Sequence, residues 1–343
     1  MKNKLFIIND CHLGVSRSGG TTKESAAALG DWQRDCFQDL LNKAAGHDLL
    51  INGDLFDKFE VSKQVEFDTY IQLVGWLDTH PTHKLILSAG NHDLSTNSER
   101  RSSFENLCAY LSVGYGQQVE IVRTEVCSFD KFTVVPHMPN QELFDAELEK
   151  ALASGQPYCF VHANLMSPFA VHSDHSLNVD ETMLKKFADA GITMVFAHEH
   201  NARRLANAVV VGNQIPASVS DCLDSNLTKQ YAVLGTGGLS TQDFVRLADV
   251  YTEVDWQSEA VPDKRFIRVT GTANYEQASE VVQRISDIRR QSSAFVVANA
   301  VKVGTLDAVA PTEDLQAFNI QDLVAAGLPA DLVDRFNDVV KCV

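Results

Sequence analysis

The chain has 343 residues, with 29 Lys and Arg against 45 Asp and Glu, for a formal charge of −16. A hydrophobic fraction of 45% beside 22% charged residues describes a folded globular protein and excludes global disorder and low-complexity fibre. The acidic balance also excludes a protein that coats nucleic acid by bulk charge, because counterion release needs clustered Lys and Arg; local binding stays open.

Leu5 to Ile8 is an apolar run without alternation, which predicts a strand buried on both faces. A small Gly/Ser/Thr-rich loop follows at Ser16 to Thr22, and Trp32 to Ala45 has the apolar spacing of a helix. Leu49 to Ile51 predicts the second strand, and Val65 to Thr79 a helix with Phe67, Tyr70, Ile71, Val74 and Leu77 in one stripe. Further strands are predicted at Lys84 to Leu87, Phe129 to Val135, Tyr158 to Val161, Met194 to Ala197 and Ala208 to Val211. Helices are predicted at Gln141 to Ala153 and Thr182 to Ala190. Such alternation implies an α/β protein, a layered sheet with helices on its faces.

After about residue 260 the pattern changes to a strand at Phe266 to Thr270, a helix at Tyr275 to Arg290 and a strand at Ala294 to Val303. Two short helices then follow Pro311 to Asp314, separated by Gly327-Leu328-Pro329. The expected organisation is a large α/β domain over 1–258, a small β-α-β domain over 259–308 and a C-terminal helical segment over 309–343. The seven cysteines are scattered and never spaced CxxC, so neither a disulfide framework nor a Cys-based zinc site is expected. No apolar run approaches the roughly 18 residues of a membrane span. The apolar stretch after Met1-Lys2-Asn3-Lys4 is too short for a signal-peptide core, so a reducing cytoplasm is the expected location.

Residues able to bind metal recur just after the predicted strands. The first ends in Asp10-Cys11-His12, the second in Gly53-Asp54-Leu55-Phe56-Asp57, and the third in Gly90-Asn91-His92-Asp93. Two later ones end in His162 and in Ala197-His198-Glu199-His200. Each block alone reads more readily as a turn, a solvated loop or a satisfied core histidine than as a ligand. Together they suit a mixed oxygen and nitrogen site for two ions, because ligands bind at the carboxyl ends of strands in open α/β sheets.

In this order and spacing the blocks resemble the calcineurin-like metallophosphoesterase family, with Ala197 standing where that family usually has Gly. The resemblance covers roughly residues 1–215 and implies a layered β-sandwich flanked by helices. It implies that Asp54 bridges two divalent ions, with Asp10, His12 and His200 completing one site and Asn91, His162 and His198 the other. Mn²⁺ is the expected metal, with Zn²⁺, Fe or Mg²⁺ as alternatives. Two such ions would clamp a phosphodiester and acidify an attacking water. His92 is assigned to protonating the leaving group or stabilising its charge, Asp93 to orienting that imidazole, and Asp57 to supporting the site or capping a helix.

Within the family, the first two blocks, the Pro136-His137-Met138-Pro139 segment and the appended unit resemble the exonuclease subunit of the SbcCD/Mre-Rad double-strand-break repair complex. That resemblance implies a metal-dependent DNA nuclease acting with an SbcC-like coiled-coil ATPase, and a homodimer. Leu315, Phe318, Leu323, Val324, Leu332, Val333, Phe336 and Val340 would form the ATPase-docking face, or else pack on the protein's own core. Arg17, Arg100, Arg101, Arg203 and Arg204 are the candidate DNA contacts, touching phosphates without reading sequence. The alternatives are a phosphodiesterase or phosphatase on small nucleotides or phosphoproteins, and a non-catalytic adaptor. Against the adaptor stand intact ligands in all five blocks.

Overall fold

Strands with no polar face need cover on both sides, and two stacked sheets backed by helices supply it. In this computed structural model, residues 4–15, 22–94, 100–167, 177–224 and 226–304 are described. In chain order the first elements are β1 (Leu5–Ile8), α1 (Lys23–Lys43), β2 (Asp48–Asn52), α2 (Lys63–Thr79), β3 (Leu85–Ser88), α3 (Ser103–Tyr115) and β4 (Val119–Val122). Next come β5 (Cys127–Ser128), β6 (Phe132–Val135), α4 (Gln141–Ala153), β7 (Tyr158–His162), β8 (Asn164–Leu165) and β9 (Asn178–Val179). They lead to α5 (Glu181–Asp189), β10 (Thr193–Ala197), β11 (Arg203–Arg204), β12 (Ala208–Val210), β13 (Thr228–Gly235) and β14 (Gly238–Arg246). The last are α6 (Leu247–Val250), β15 (Tyr251–Asp255), β16 (Phe266–Thr270), β17 (Thr272–Ala273), α7 (Ala278–Gln291), β18 (Val296–Asn299) and β19 (Lys302–Val303).

One six-stranded sheet has the order β14-β13-β1-β2-β3-β4 and the other β11-β12-β10-β7-β6-β5. Strands β1 to β4 run parallel, and so do β6, β7, β10 and β12. Alternate residues of each strand serve different cores. Leu5, Ile7, Leu50 and Ile86 point into the layer between the sheets, where they meet Val134, Phe160 and Val195. Phe6, Ile8, Leu49, Ile51, Leu85 and Leu87 pack against the helices that cover the first sheet. Cys159, Val161, Met194 and Phe196 pack with Phe144, Leu148 and Phe187 on the outer face of the second. Burial on both faces is the physical reason these strands read as continuous apolar runs.

Several elements differ from expectation. Helix α1 begins at Lys23, ahead of the predicted Trp32, because Thr22 and Ser25 form a reciprocal capping box at its start. Helix α3 was not anticipated, although Ser102 and Glu105 carry the spacing of a capping box and form one. The strand expected over 129–135 is shorter, β6 alone; residues 129–131 form a turn, in which Phe129 N–H donates to the Phe132 carbonyl at 2.8 Å, that joins it to the antiparallel β5. The hairpin β13–β14 was also missed: β14 is an edge strand with a mostly polar sequence and no fully buried residue, held in the sheet by pairing to β13.

By packing, the chain divides into one unit of Met1–Gly271 with Ser279–Val301, and another made of Thr272–Ala278 with the stretch from Lys302. In the first unit, β15, β16 and β18 form a parallel three-stranded sheet. The β-α-β pattern expected after residue 260 is therefore present as β16, α7 and β18, and β15 from within the expected large domain joins the same sheet. Phe266 and Val296 pack with Val15, Leu29, Leu247 and Val250, and the Trp32 ring meets Phe266 edge-on at 5.9 Å. In the second unit β17 pairs in parallel with β19. The helical segment expected over 309–343, with its docking residues, lies outside the described residues.

Candidate metal centre

Since β1, β2 and β3 are parallel, their carboxyl ends share one rim, and an Asn52 amide bond to the Val161 carbonyl (3.4 Å) ties that rim to the end of β7. All five sequence blocks meet there. Asp10, His12, Asp54 and His162 are buried. Four of the six non-glycine residues with positive φ among the described residues are Asp10 (47°), His12 (45°), Asp54 (48°) and His198 (82°). Backbone strain is thus concentrated in these loops, as at sites where function fixes the geometry. The glycines have the same explanation. A Cβ at Gly53 would lie 2.0 Å from His162 Nδ1, and one at Gly90 would lie 2.1 Å from Asp54 Oδ1. Ala197 ends β10 in register with His162 and is fully buried, so the loss of the family's glycine there is accommodated and the left-handed turn falls on His198.

Three groups of ligand atoms lie within 4.8 Å of one another: Asp10 with His12 and His200, His12 with Asp54 and His92, and Asp54 with His162 and His198. Asn91 Oδ1 adds to the third, 3.0 Å from His162 Nε2 and 2.9 Å from His198 Nδ1. Asp54 faces both sides, with Oδ2 at 3.3 Å from His162 Nε2 and 3.8 Å from His12 Nε2. Backbone donors position the carboxylates: His198 N–H donates to Asp10 at 3.0 Å, and His92 N–H to Asp54 Oδ1 at 2.9 Å.

Burial governs the charges. It pushes Asp10 up to about 6 against the pull of His162 and His200. It pulls the His12 and His198 imidazoles down to about 3, leaving them as neutral lone-pair donors. For Asp54 burial is outweighed by His162, His12 and His92, which hold the carboxyl well below the usual range. For His162 burial is likewise outweighed, by Asp54 and Asp10, and the imidazole rises to about 9.

The arrangement fits divalent cations. Asp10 and Asp54 are buried carboxylates whose ion-pair partners among the described residues are imidazoles, without a lysine or arginine. Buried charge of this kind calls for a compensating cation. His12 Nε2 and His200 Nε2 lie 3.0 Å apart, the spacing of two ligands each about 2.1 Å from one ion. The mixed imidazole and carboxylate set suits Mn²⁺, Fe or Zn²⁺.

A family model described as calcineurin-like phosphoesterase matches residues 4–202, more than half of the chain. The chain belongs to the calcineurin-like phosphoesterase family. It is accordingly a phosphoester hydrolase, with the two-sheet fold of that family and a cluster suited to the two divalent metals the family binds. No curated protein matches the chain.

The remaining candidates fall into place around this cluster. His92 is partly open to solvent, with 37% of its side chain exposed, and Nδ1 lies 2.5 Å from the Asp57 carbonyl oxygen. Orienting His92 is therefore the work of the Asp57 main chain. Asp93, expected in that role, instead accepts from the backbone N–H groups of Gly90, Leu55 and Phe56 at 2.9, 3.4 and 3.5 Å. It ties the second and third blocks together, and burial pushes it up to about 7. The Asp57 carboxylate stands 3.5 Å from His12 Nδ1.

Of the candidate DNA contacts, Arg17 lies outside the described residues. Arg100 pairs with Glu60 at 2.9 Å and lies over the Phe59 ring. Arg101 and Arg204 are exposed. Arg203 is held by Glu199 and the Leu165 carbonyl, so it braces the loop after β10.

Sequence reasoning missed Asp221, whose Oδ1 lies 2.8 Å from His200 Nδ1, and the buried Lys229, whose ammonium donates to the His200 carbonyl at 2.9 Å. It also gave His137 no role, though its ring stands edge-on to His162 at 6.2 Å. Asp221 and Lys229 lie twenty or more residues past the last motif, and no spacing in the chain connects them to it.

Proposed function

We propose that this protein is a Mn²⁺-dependent DNA nuclease, hydrolysing phosphodiester bonds at the two-ion cluster. The observation that carries the reading is the meeting of Asp10, His12, Asp54, Asn91, His162, His198 and His200 beside a partly exposed His92. When bound, the ions supply charge neutralisation for the phosphoryl oxygens and acidify the attacking water. His92, anchored through Nδ1, presents Nε2 to the cleft 3.9 Å from Asp54, where it can hold a proton for the leaving oxygen.

A polynucleotide substrate is supported by a cavity of about 580 Å³ lined by Arg100, Arg101, Arg123, Glu105 and Thr124. Arg123 directly follows β4, whose end is tied to the chain just after β3 by a hydrogen bond from Ala89 N–H to the Val122 carbonyl. Arginines there would guide a phosphate backbone in an otherwise acidic protein. The SbcC-like ATPase partner, the homodimer and the cytoplasmic location belong to the same proposal. Among the described residues no helix is long and apolar enough to cross a membrane.

The test is Mn²⁺-dependent cleavage of labelled linear duplex and single-stranded DNA by the full chain, run beside bis-p-nitrophenyl phosphate. DNA should be cut, and His92→Gln should lower the rate by about 10²–10⁴-fold with Mn²⁺ binding unchanged. Hydrolysis of the small ester with no cleavage of either DNA refutes the nuclease reading.

A further inference from the structure

His200 is the last metal-type residue of the family match, which ends at residue 202. What holds it comes from the chain beyond. Its Nδ1 faces Asp221 Oδ1 at 2.8 Å, while Nε2 points into the cluster toward His12. Asp221 is itself 3% exposed, and its other oxygen accepts from the N–H groups of Ala217 and Ser218 at 2.8 and 2.9 Å. A carboxylate so anchored can only accept a hydrogen bond, so it keeps the proton of His200 on Nδ1 and the lone pair on Nε2.

The main chain of His200 is fixed as well. Lys229 Nζ donates to its carbonyl at 2.9 Å and lies 3.4 Å from Asp224 Oδ2, which in turn accepts from Ala202 N–H at 3.0 Å. In the other cluster, among the described residues, the nearest carboxylate on the Nδ1 side of His162 is Asp10 Oδ1 at 3.8 Å, beyond hydrogen-bond distance. Within hydrogen-bond distance, among the same residues, His162 Nδ1 faces only a main-chain acceptor, the Asn52 carbonyl oxygen at 3.3 Å.

We infer that Asp221 is a positioning residue specific to one of the two ions, fixing the tautomer and aim of His200 so that the ion held by Asp10, His12 and His200 binds. This rests on the two-ion reading of the cluster. Lys229 and Asp224 hold the same residue by its backbone, so a segment outside the matched family region completes the first ion site. The second ion, among Asp54, Asn91, His162 and His198, is independent of Asp221.

Equilibrium dialysis of the full chain against Mn²⁺, with metal counted per chain, tests this without reference to activity. Wild type should bind two ions. Asp221→Ala should bind one with wild-type affinity and the other about 10–100-fold more weakly. The electron paramagnetic resonance spectrum should change accordingly, from that of a coupled pair to that of an isolated Mn²⁺. Retained binding at the second site reports that the fold is intact, and Asp221→Asn, which preserves side-chain volume, carries the test if the alanine variant does not fold. In a His200→Gln background Asp221→Ala should add nothing; an additive loss would make Asp221 a general brace and overturn the assignment. If wild type binds two ions and Asp221→Ala binds both unchanged, the assignment fails while the two-ion reading stands. If wild type binds fewer than two, both fail.

Discussion

Gly53→Ala is the sharpest test of how the cluster is assembled. At φ 87° an alanine pays a left-handed backbone penalty of about 1–2 kcal/mol. The larger effect is steric. The new methyl group would lie 2.0 Å from His162 Nδ1, with Cγ at 2.7 Å and Cε1 at 2.8 Å. Ordinary contact needs about 3.4 Å or more, so the ring or the loop must yield by well over 1 Å. Metal–ligand distances tolerate only about 0.2 Å, and His162 is buried between Asp10 and Asp54 with no room to retreat. The ion held by His162 should therefore be lost, and hydrolysis of bis-p-nitrophenyl phosphate should fall by at least about 10²-fold, the scale of a 1 Å misplacement. Mn²⁺ stoichiometry, rate and thermal midpoint are to be measured together. A Gly53→Ala chain that binds two ions with wild-type affinity would refute the account of why glycine stands there.

Two further predictions concern charge. Asp54→Asn should lose both ions together, because Asp54 faces His12 on one side and His162 on the other. One ion retained at full occupancy in dialysis would contradict a bridging role. Lys229→Met leaves the Asp224 carboxylate buried without its ammonium partner, both side chains being 1% exposed. Breaking a buried pair in this way costs about 3–5 kcal/mol, to be read from the urea midpoint of the variant, and an unchanged midpoint would show the pair is not stabilising.

The ligand blocks were legible because each ligand sits within a few residues of a strand end, and the strands announce themselves as unbroken apolar runs. Leu5 to Ile8 followed by Asp10 and His12 needs no tertiary knowledge to be read as strand then site. The fold class followed from the same alternation. The edge strand β14 left no such mark, since its few apolar residues, Leu239, Phe244 and Val245, are set among polar ones and its place is fixed by pairing to β13. Helix α3 is marked in the sequence by Ser102 and Glu105, the two residues of its capping box.

Roles that depend on contact between distant segments belonged to the tertiary structure. Gly53 and Gly90 read as turn residues, yet they are small because His162 and Asp54 arrive from other loops. Asp93 read as the partner of its neighbour His92, but its carboxylate turns to the backbone at Gly90, Leu55 and Phe56, and the Asp57 carbonyl takes the imidazole. Asp221 carried no local signal and yet stands directly behind His200. Residue type and spacing along the chain determine which groups can bind metal, because those properties are local. Which group orients which is decided by hydrogen-bond geometry within about 3 Å, and only the packing of the sheets and their loops brings such partners that close.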